Sequence, residues 1–105
     1  MKKILQVNFK FKVTRSELEK TFLEAAPLFA PGGNIKGLLW KVWIINEAER
    51  SAGGIYLFKD GASVDAYLKG EMGGGLRSNP TISNVEVRVS DILPEHTKIT
   101  LGPVD

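Results

Sequence analysis

A two-layer α+β fold with the element order βαββαβ follows from three features of this 105-residue chain. Lys3–Phe11 alternates apolar and polar residues at the period of a strand. Leu38–Ile45 and Gly54–Phe58 are rich in β-branched and aromatic residues and flank the polar loop Asn46–Ala52, the pattern of a hairpin. Two stretches with helix-start signals, at Thr14 and Asp60, each lead back to a strand-like segment. Helices that cross over between strands in this order give the ferredoxin-like split βαβ arrangement, an antiparallel sheet with strand order 4-1-3-2 and both helices on one face.

In the first strand Leu5, Val7, Phe9 and Phe11 share one face, and Ile4, Gln6, Asn8 and Lys10 share the other. Thr14 and Glu17 form a capping box, in which hydroxyl and carboxylate satisfy the backbone donors left free at a helix start. Leu18, Phe22, Ala25 and Phe29 then recur at helical spacing as the buried stripe, while Glu17, Glu19, Lys20 and Glu24 face water. Pro27 interrupts this pattern, because it lacks an amide hydrogen and crowds the preceding turn; a kink or an end near Ala26 is predicted. Pro31-Gly32-Gly33-Asn34 ends the segment. Asp60 caps a shorter helix reaching about Lys69, with Val64, Tyr67 and Leu68 inward. Gly70–Pro80 is glycine-rich and is expected to be a mobile connection with a short helical turn around Met72–Arg77. The fourth strand is Asn84–Ile92, with Val85, Val87 and Val89 inward. Residues 93–105 carry Pro94 and Pro103 but also Ile99 and Leu101, which suits a tail that docks, and nothing divides residues 1–105 into more than one domain.

Composition narrows the function classes. A chain of this length buries roughly 60% of its unfolded surface and folds without staples. The absence of cysteine excludes disulfides, thiolate metal sites and thiol nucleophiles, and suits a cytoplasmic protein. The net charge is +2 and the basic residues are scattered, which disfavours a nucleic-acid partner. Gln6, Asn8, Lys10 and Lys12 break up the apolar stretch that a signal peptide needs after the opening MKKIL. No apolar run approaches the roughly 20 residues of a membrane span, so no membrane partner is expected. His96 has no second ligand at metal-binding spacing, Gly73-Gly74-Gly75 lacks the spacing of a phosphate-binding loop, and Glu47 and Glu49 read as a solvated turn.

The second strand is apolar at almost every position, although the 4-1-3-2 order puts it at a sheet edge. The helices can cover one sheet face only. A second copy closing sheet against sheet, a homodimeric α/β barrel, is the simplest cover for the other, with residues 93–105 placed to dock on the partner subunit.

LLWKVW of the second strand, AGGIYLF of the third and the capped helix containing AYL resemble the YdhR-type mono-oxygenase family. That family lies within the dimeric α/β-barrel superfamily of antibiotic-biosynthesis mono-oxygenases. The likeness runs from Lys3 to about Leu68 and again over the fourth strand, and departs from the family at Asn8, where at least one member carries histidine. It implies a ferredoxin-like fold, a homodimer, and a cleft between sheet and helices for a flat aromatic, phenolic or polyketide-like molecule. It also implies cofactor-independent mono-oxygenation with molecular oxygen, in which the deprotonated substrate supplies the electrons and neither metal nor cofactor takes part.

Read from the residues, the group that suits such a ligand is Gln6 and Asn8 on the first strand, Trp40 and Trp43 on the second, Tyr56 on the third and Tyr67 on the second helix, with core packing as the rival reading. In the chemistry the resemblance implies, Asn8 and the Trp40 indole N–H donate to the substrate oxyanion, and Tyr56 or Tyr67 relays the proton. Gln6, Trp43 and Tyr67 contact the ligand, and Arg77, over the cleft mouth, meets an anionic one. An odd spacing sends Trp40 and Trp43 to opposite faces, so only one enters the cleft; the strand register alone decides which. The alternative reading is a non-catalytic protein that holds or senses an aromatic metabolite in the same cleft. A third, isomerase or lactone chemistry on the same barrel, would form product without oxygen.

Overall fold

Among the described residues of the computed structural model, 1–70, 73 and 75–105, four strands form one antiparallel sheet. They are β1 (Lys3–Phe11), β2 (Leu38–Asn46), β3 (Ser51–Phe58) and β4 (Ile82–Asp91), in the spatial order β2-β3-β1-β4. The helices are α1 (Arg15–Ala25), α2 (Gly61–Lys69) and the short α3 (Pro94–Ile99) in the tail. The ferredoxin-like arrangement and strand order agree with the reading of the sequence.

The local signals act as their chemistry requires. Thr14 Oγ1 accepts from the Glu17 amide at 3.2 Å and starts α1, and Asp60 Oδ1 accepts from the Ser63 amide at 2.8 Å and starts α2. With no amide hydrogen at Pro27, the α-helix stops at Ala25 and the chain tightens into a 3-10 turn over Ala26–Phe29, which carries Phe29 inward. The hairpin turn is shorter than expected, because Asn46 Oδ1 accepts from the Glu49 amide and Glu47 O from the Arg50 amide. Arg50 takes the left-handed conformation (φ 55°), and both strands extend toward the turn. Met72 of the helical turn expected near Met72–Arg77 lies outside the described residues; the described part forms a 3-10 turn over Gly75–Ser78.

Register assigns the faces. β1 aligns Leu5 with Tyr56, Val7 with Gly54 and Phe9 with Ala52, and β2 aligns Lys41 with Tyr56 and Trp43 with Gly54, so all of these look toward the helices. Of these, Leu5, Val7, Phe9, Ala52 and Tyr56 build the core with Phe11, Leu18, Phe58 and Val64, each large apolar side chain contributing roughly 1.5–3 kcal/mol. Regular alternation fails once in β2. A bulge between Leu38 and Trp40 makes Leu39 the extra residue and lets Leu38 share the helix side with Lys41, Trp43 and Ile45.

The opposite face carries Ile4, Gln6 and Asn8 from β1, Trp40, Val42 and Ile44 from β2, Ile55 and Leu57 from β3, and Glu86 and Arg88 from β4. The tail returns over one end of it. Trp40 Nε1 donates to Pro103 O at 2.7 Å, Lys2 Nζ donates to Val104 O at 2.6 Å, and Leu57, between Ile4 and Trp40 in register, is 1% exposed. In the single chain the tail thus lies on its own sheet, and the rest of the face is open: Val42 is 49% exposed. Val89, expected inward, does face the helix layer opposite Leu5, but β4 is an edge strand and leaves it half exposed.

Candidate functional site

A cleft of about 390 Å³ opens between the sheet and the helix layer. Its walls come from Phe22 and Ala25 of α1, Phe29 of the 3-10 turn, Tyr67 of α2, and Leu76 and Asn79 ahead of β4. Its floor is Val7, Lys41, Trp43 and Tyr56. The side chains of the floor can lie close over the sheet because residue 54 is glycine: a Cβ there would stand 2.7 Å from Lys41 Cε and 3.1 Å from Tyr56 Cε1.

The aromatic walls interlock. Phe22 and Trp43 have ring centroids 4.9 Å apart, and Phe29 meets Trp43 edge-on at 5.2 Å. Tyr56 and Tyr67 lie 5.4 Å apart, with their hydroxyl oxygens 3.2 Å from each other. Burial pushes both phenols above the usual tyrosine range, so both stay protonated and serve as hydrogen-bond donors rather than bases.

Lys41 is the member of the site that residue-type reasoning passed over. Its Nζ sits 3.4 Å from the Trp43 ring centroid, 3.6 Å from Phe29 and 4.6 Å from Tyr56. Among the described residues no carboxylate pairs with it. Burial lowers the amine to about 7, while the three ring faces favour the ammonium and offset part of that cost. A signal was present: Lys41 is the lone charge inside an otherwise apolar strand and shares parity with Trp43. Whichever way Trp43 points, Lys41 points with it.

The sheet divides the residues singled out from sequence. Tyr56, Tyr67 and Trp43 meet in the cleft. Gln6, Asn8 and Trp40 lie on the opposite face, where Gln6 stands across from Arg88 and Asn8 across from Glu86. Trp40 and Asn8 therefore cannot donate into the cleft that holds Tyr56, and the oxyanion pair expected from sequence is separated from Tyr56 and Tyr67 by the thickness of the sheet. The physical reason is parity: Asn8 is even-numbered on a strand whose odd-numbered residues face the helices, and the Trp40 indole is engaged by the tail. Arg77 is exposed, on the segment that flanks the cleft mouth. His96 is exposed on α3.

Comparison with known proteins places this geometry. The model of the family described as "Putative mono-oxygenase ydhR" matches residues 4–103. No curated protein matches the chain. Among solved structures it is similar to a protein of unknown function from Nitrosomonas europaea, with TM-score 0.71, 22% identity, and coverage of 88% of this chain and 89% of that one. It is also similar to a point mutant of SnoaB, a cofactor-independent oxygenase from Streptomyces nogalater, with TM-score 0.64, 15% identity, and coverage of 88% and 93%. A third is the heme-degrader MhuD from Mycobacterium tuberculosis, with TM-score 0.63, 17% identity, and coverage of 86% and 95%. At these identities the structural likeness carries the fold.

Proposed function

The chain belongs to the ydhR mono-oxygenase family, and from that premise we propose a homodimeric, cofactor-independent mono-oxygenase acting on a flat aromatic, phenolic or polyketide-like molecule. The observation that carries the reading is the aromatic cleft. Phe22, Phe29, Trp43, Tyr56 and Tyr67 form flat walls, and the Lys41 amine and the two protonated tyrosine hydroxyls lie among them. Flat walls orient a ring, and few convergent donors fix its oxygen.

The chemistry balances without a carrier of electrons. A ring-activated methylene, as in an anthrone, loses a proton to give an enolate; its carbon is oxidised to a carbonyl by molecular oxygen, one oxygen atom enters the product, and the other leaves as water. The protein's share is to orient the ring, exclude solvent and stabilise the oxyanion. In this reading Trp43 stacks on the ring, Tyr56 and Tyr67 donate, and Arg77 draws in an acidic molecule at the mouth. Oxygen-electrode assays with anthrone- and hydroquinone-like compounds test it: uptake in step with product formation is expected, and no uptake above background would sink it. Ligand-induced thermal stabilisation without turnover would instead favour the binding or sensing role.

The homodimer is supported by the open sheet face, where Val42 at 49% exposure lies with Ile44 and Ile55 in mid-sheet. Two such faces packed together would enclose Asn8 and Gln6 in the barrel between subunits. Light scattering at micromolar concentration should give twice the chain mass for the wild type and the single mass for Val42→Asp. A monomeric wild type would remove the dimer from the reading.

A further inference from the structure

Among the described residues lining the cleft, Lys41 is the proton acceptor that the aromatic walls hold in position, whereas the Glu17 carboxylate is engaged at the helix cap. We propose that Lys41 is the proton acceptor of this site, so that the class of molecule it selects is a flat phenol or enol, bound as an anion against the newly formed ammonium; this rests on the mono-oxygenase reading only for what happens to the anion afterwards.

The geometry supplies the argument. Lys41 enters from β2, across from Tyr56, and Gly54 leaves open the space its stem fills. Its Nζ lies over Trp43, Phe29 and Tyr56 within 4.6 Å, a cage that can accommodate an ammonium once it forms. The other ionisable groups lining the cleft are Glu17 of α1, Tyr56 of β3 and Tyr67 of α2. Glu17 sits at the α1 cap, its carboxylate accepting from Thr14 Oγ1, and it is exposed. The two tyrosines are linked hydroxyl to hydroxyl, and burial keeps them protonated. Burial also leaves the lysine amine able to accept near neutrality, its midpoint at about 7.

The step moves one proton and no electrons. The O–H bond of the guest breaks, an N–H bond forms on Lys41 Nζ, and the electron pair of the broken bond stays on the guest's oxygen. The phenolate or enolate is then held between the ammonium and the Tyr56–Tyr67 hydroxyls. Such an anion is the electron-rich form from which oxygen chemistry starts, yet the transfer itself needs no oxygen.

β-Naphthol, an acid that stays neutral in water at about pH 8, tests this anaerobically, because its spectrum reports its ionisation. With the wild type above the lysine's midpoint, the bound probe should show the naphtholate spectrum. Calorimetry in buffers of different ionisation enthalpy should show almost no proton released, since the proton moves to Lys41. Lys41→Met should bind the neutral probe or lose affinity at least tenfold. Lys41→Arg, charged from the start, should bind naphtholate and release close to one proton to the buffer. The methyl ether of the probe should bind wild type and Lys41→Met with similar affinity. A neutral bound probe in the wild type, or the same spectrum in Lys41→Met, would overturn the proposal. Oxygen is absent throughout, so a protein that ionises naphthol but oxidises nothing would defeat the mono-oxygenase reading and uphold Lys41.

Discussion

The two faces of one sheet have opposite characters. Toward the helices, β3 presents Ala52, Gly54, Tyr56 and Phe58 to a layer that buries them around a cleft. On the other side, Gly53, Ile55 and Leu57 form a row that, among the described residues, the returning tail covers at one end, and Val42 of β2 stands half in water. The lesson is that the most apolar strand serves two purposes with alternate residues. Lys41 and Trp43 line a cleft within the chain, while Val42 and Ile44 belong to a face that the described residues leave open.

The sharpest way to probe the buried side is through the charge inside it. An unfolded lysine holds its proton to about pH 10.4, whereas folded Lys41 gives it up near 7. Between those values the unfolded chain binds one more proton than the folded one, so stability rises with pH across the window; below it the full cost of the buried charge is felt. Lys41→Met should flatten that rise and add roughly 3–5 kcal/mol at about pH 6, less what the ring faces return. Urea midpoints measured across pH read this directly, and parallel profiles for the two proteins would show that the amine is not desolvated. Above about pH 10 the two tyrosines act in the opposite sense, because they ionise more readily once unfolded and stability then falls with pH.

Next in size is the floor. Gly54→Val places methyl groups against Lys41 and Tyr56 and should cost about 1–3 kcal/mol by overpacking, with loss of aromatic ligand binding. A valine there at no cost in thermal stability would mean that the floor has room to spare. Tyr56→Phe leaves the Tyr67 hydroxyl without its partner inside the core, for an expected loss of about 1–2 kcal/mol by denaturant titration. The smallest effect belongs to the open face. Trp40→Phe removes the indole hydrogen bond to Pro103 and should cost about 0.5–1.5 kcal/mol, seen as faster amide exchange confined to the tail. If exchange quickened in α1 or α2 instead, the two faces would not be the separate units described.

Much of the fold was legible, because each element carries its own local signal: the Thr14 and Asp60 caps, Pro27 at the end of α1, and the alternation of β1. The hairpin turn is shorter than its composition suggests, since Asn46, Glu47 and Arg50 close it with hydrogen bonds that composition does not reveal. The candidate site was half legible. Tyr56, Tyr67 and Trp43 were named for their chemistry and do converge. Asn8 and Trp40 were named on the same grounds but lie across the sheet, because residue type says nothing of parity and parity is fixed only by pairing with β3. Lys41 was missed for the complementary reason: a lysine in a strand is ordinarily a solvated one, and only three rings and a facing glycine make this one different.

The bulge at Leu39 acts as an expansion joint. A one-residue slip in a regular strand would exchange its two faces and turn Lys41 and Trp43 away from the helices. Because the extra residue sits between Leu38 and Trp40, the pairing of Lys41 with Tyr56 is insulated from the loop that precedes the strand. The stretch from Pro31 to Gly37 can therefore change length without re-aiming the side chains of the strand that follows it.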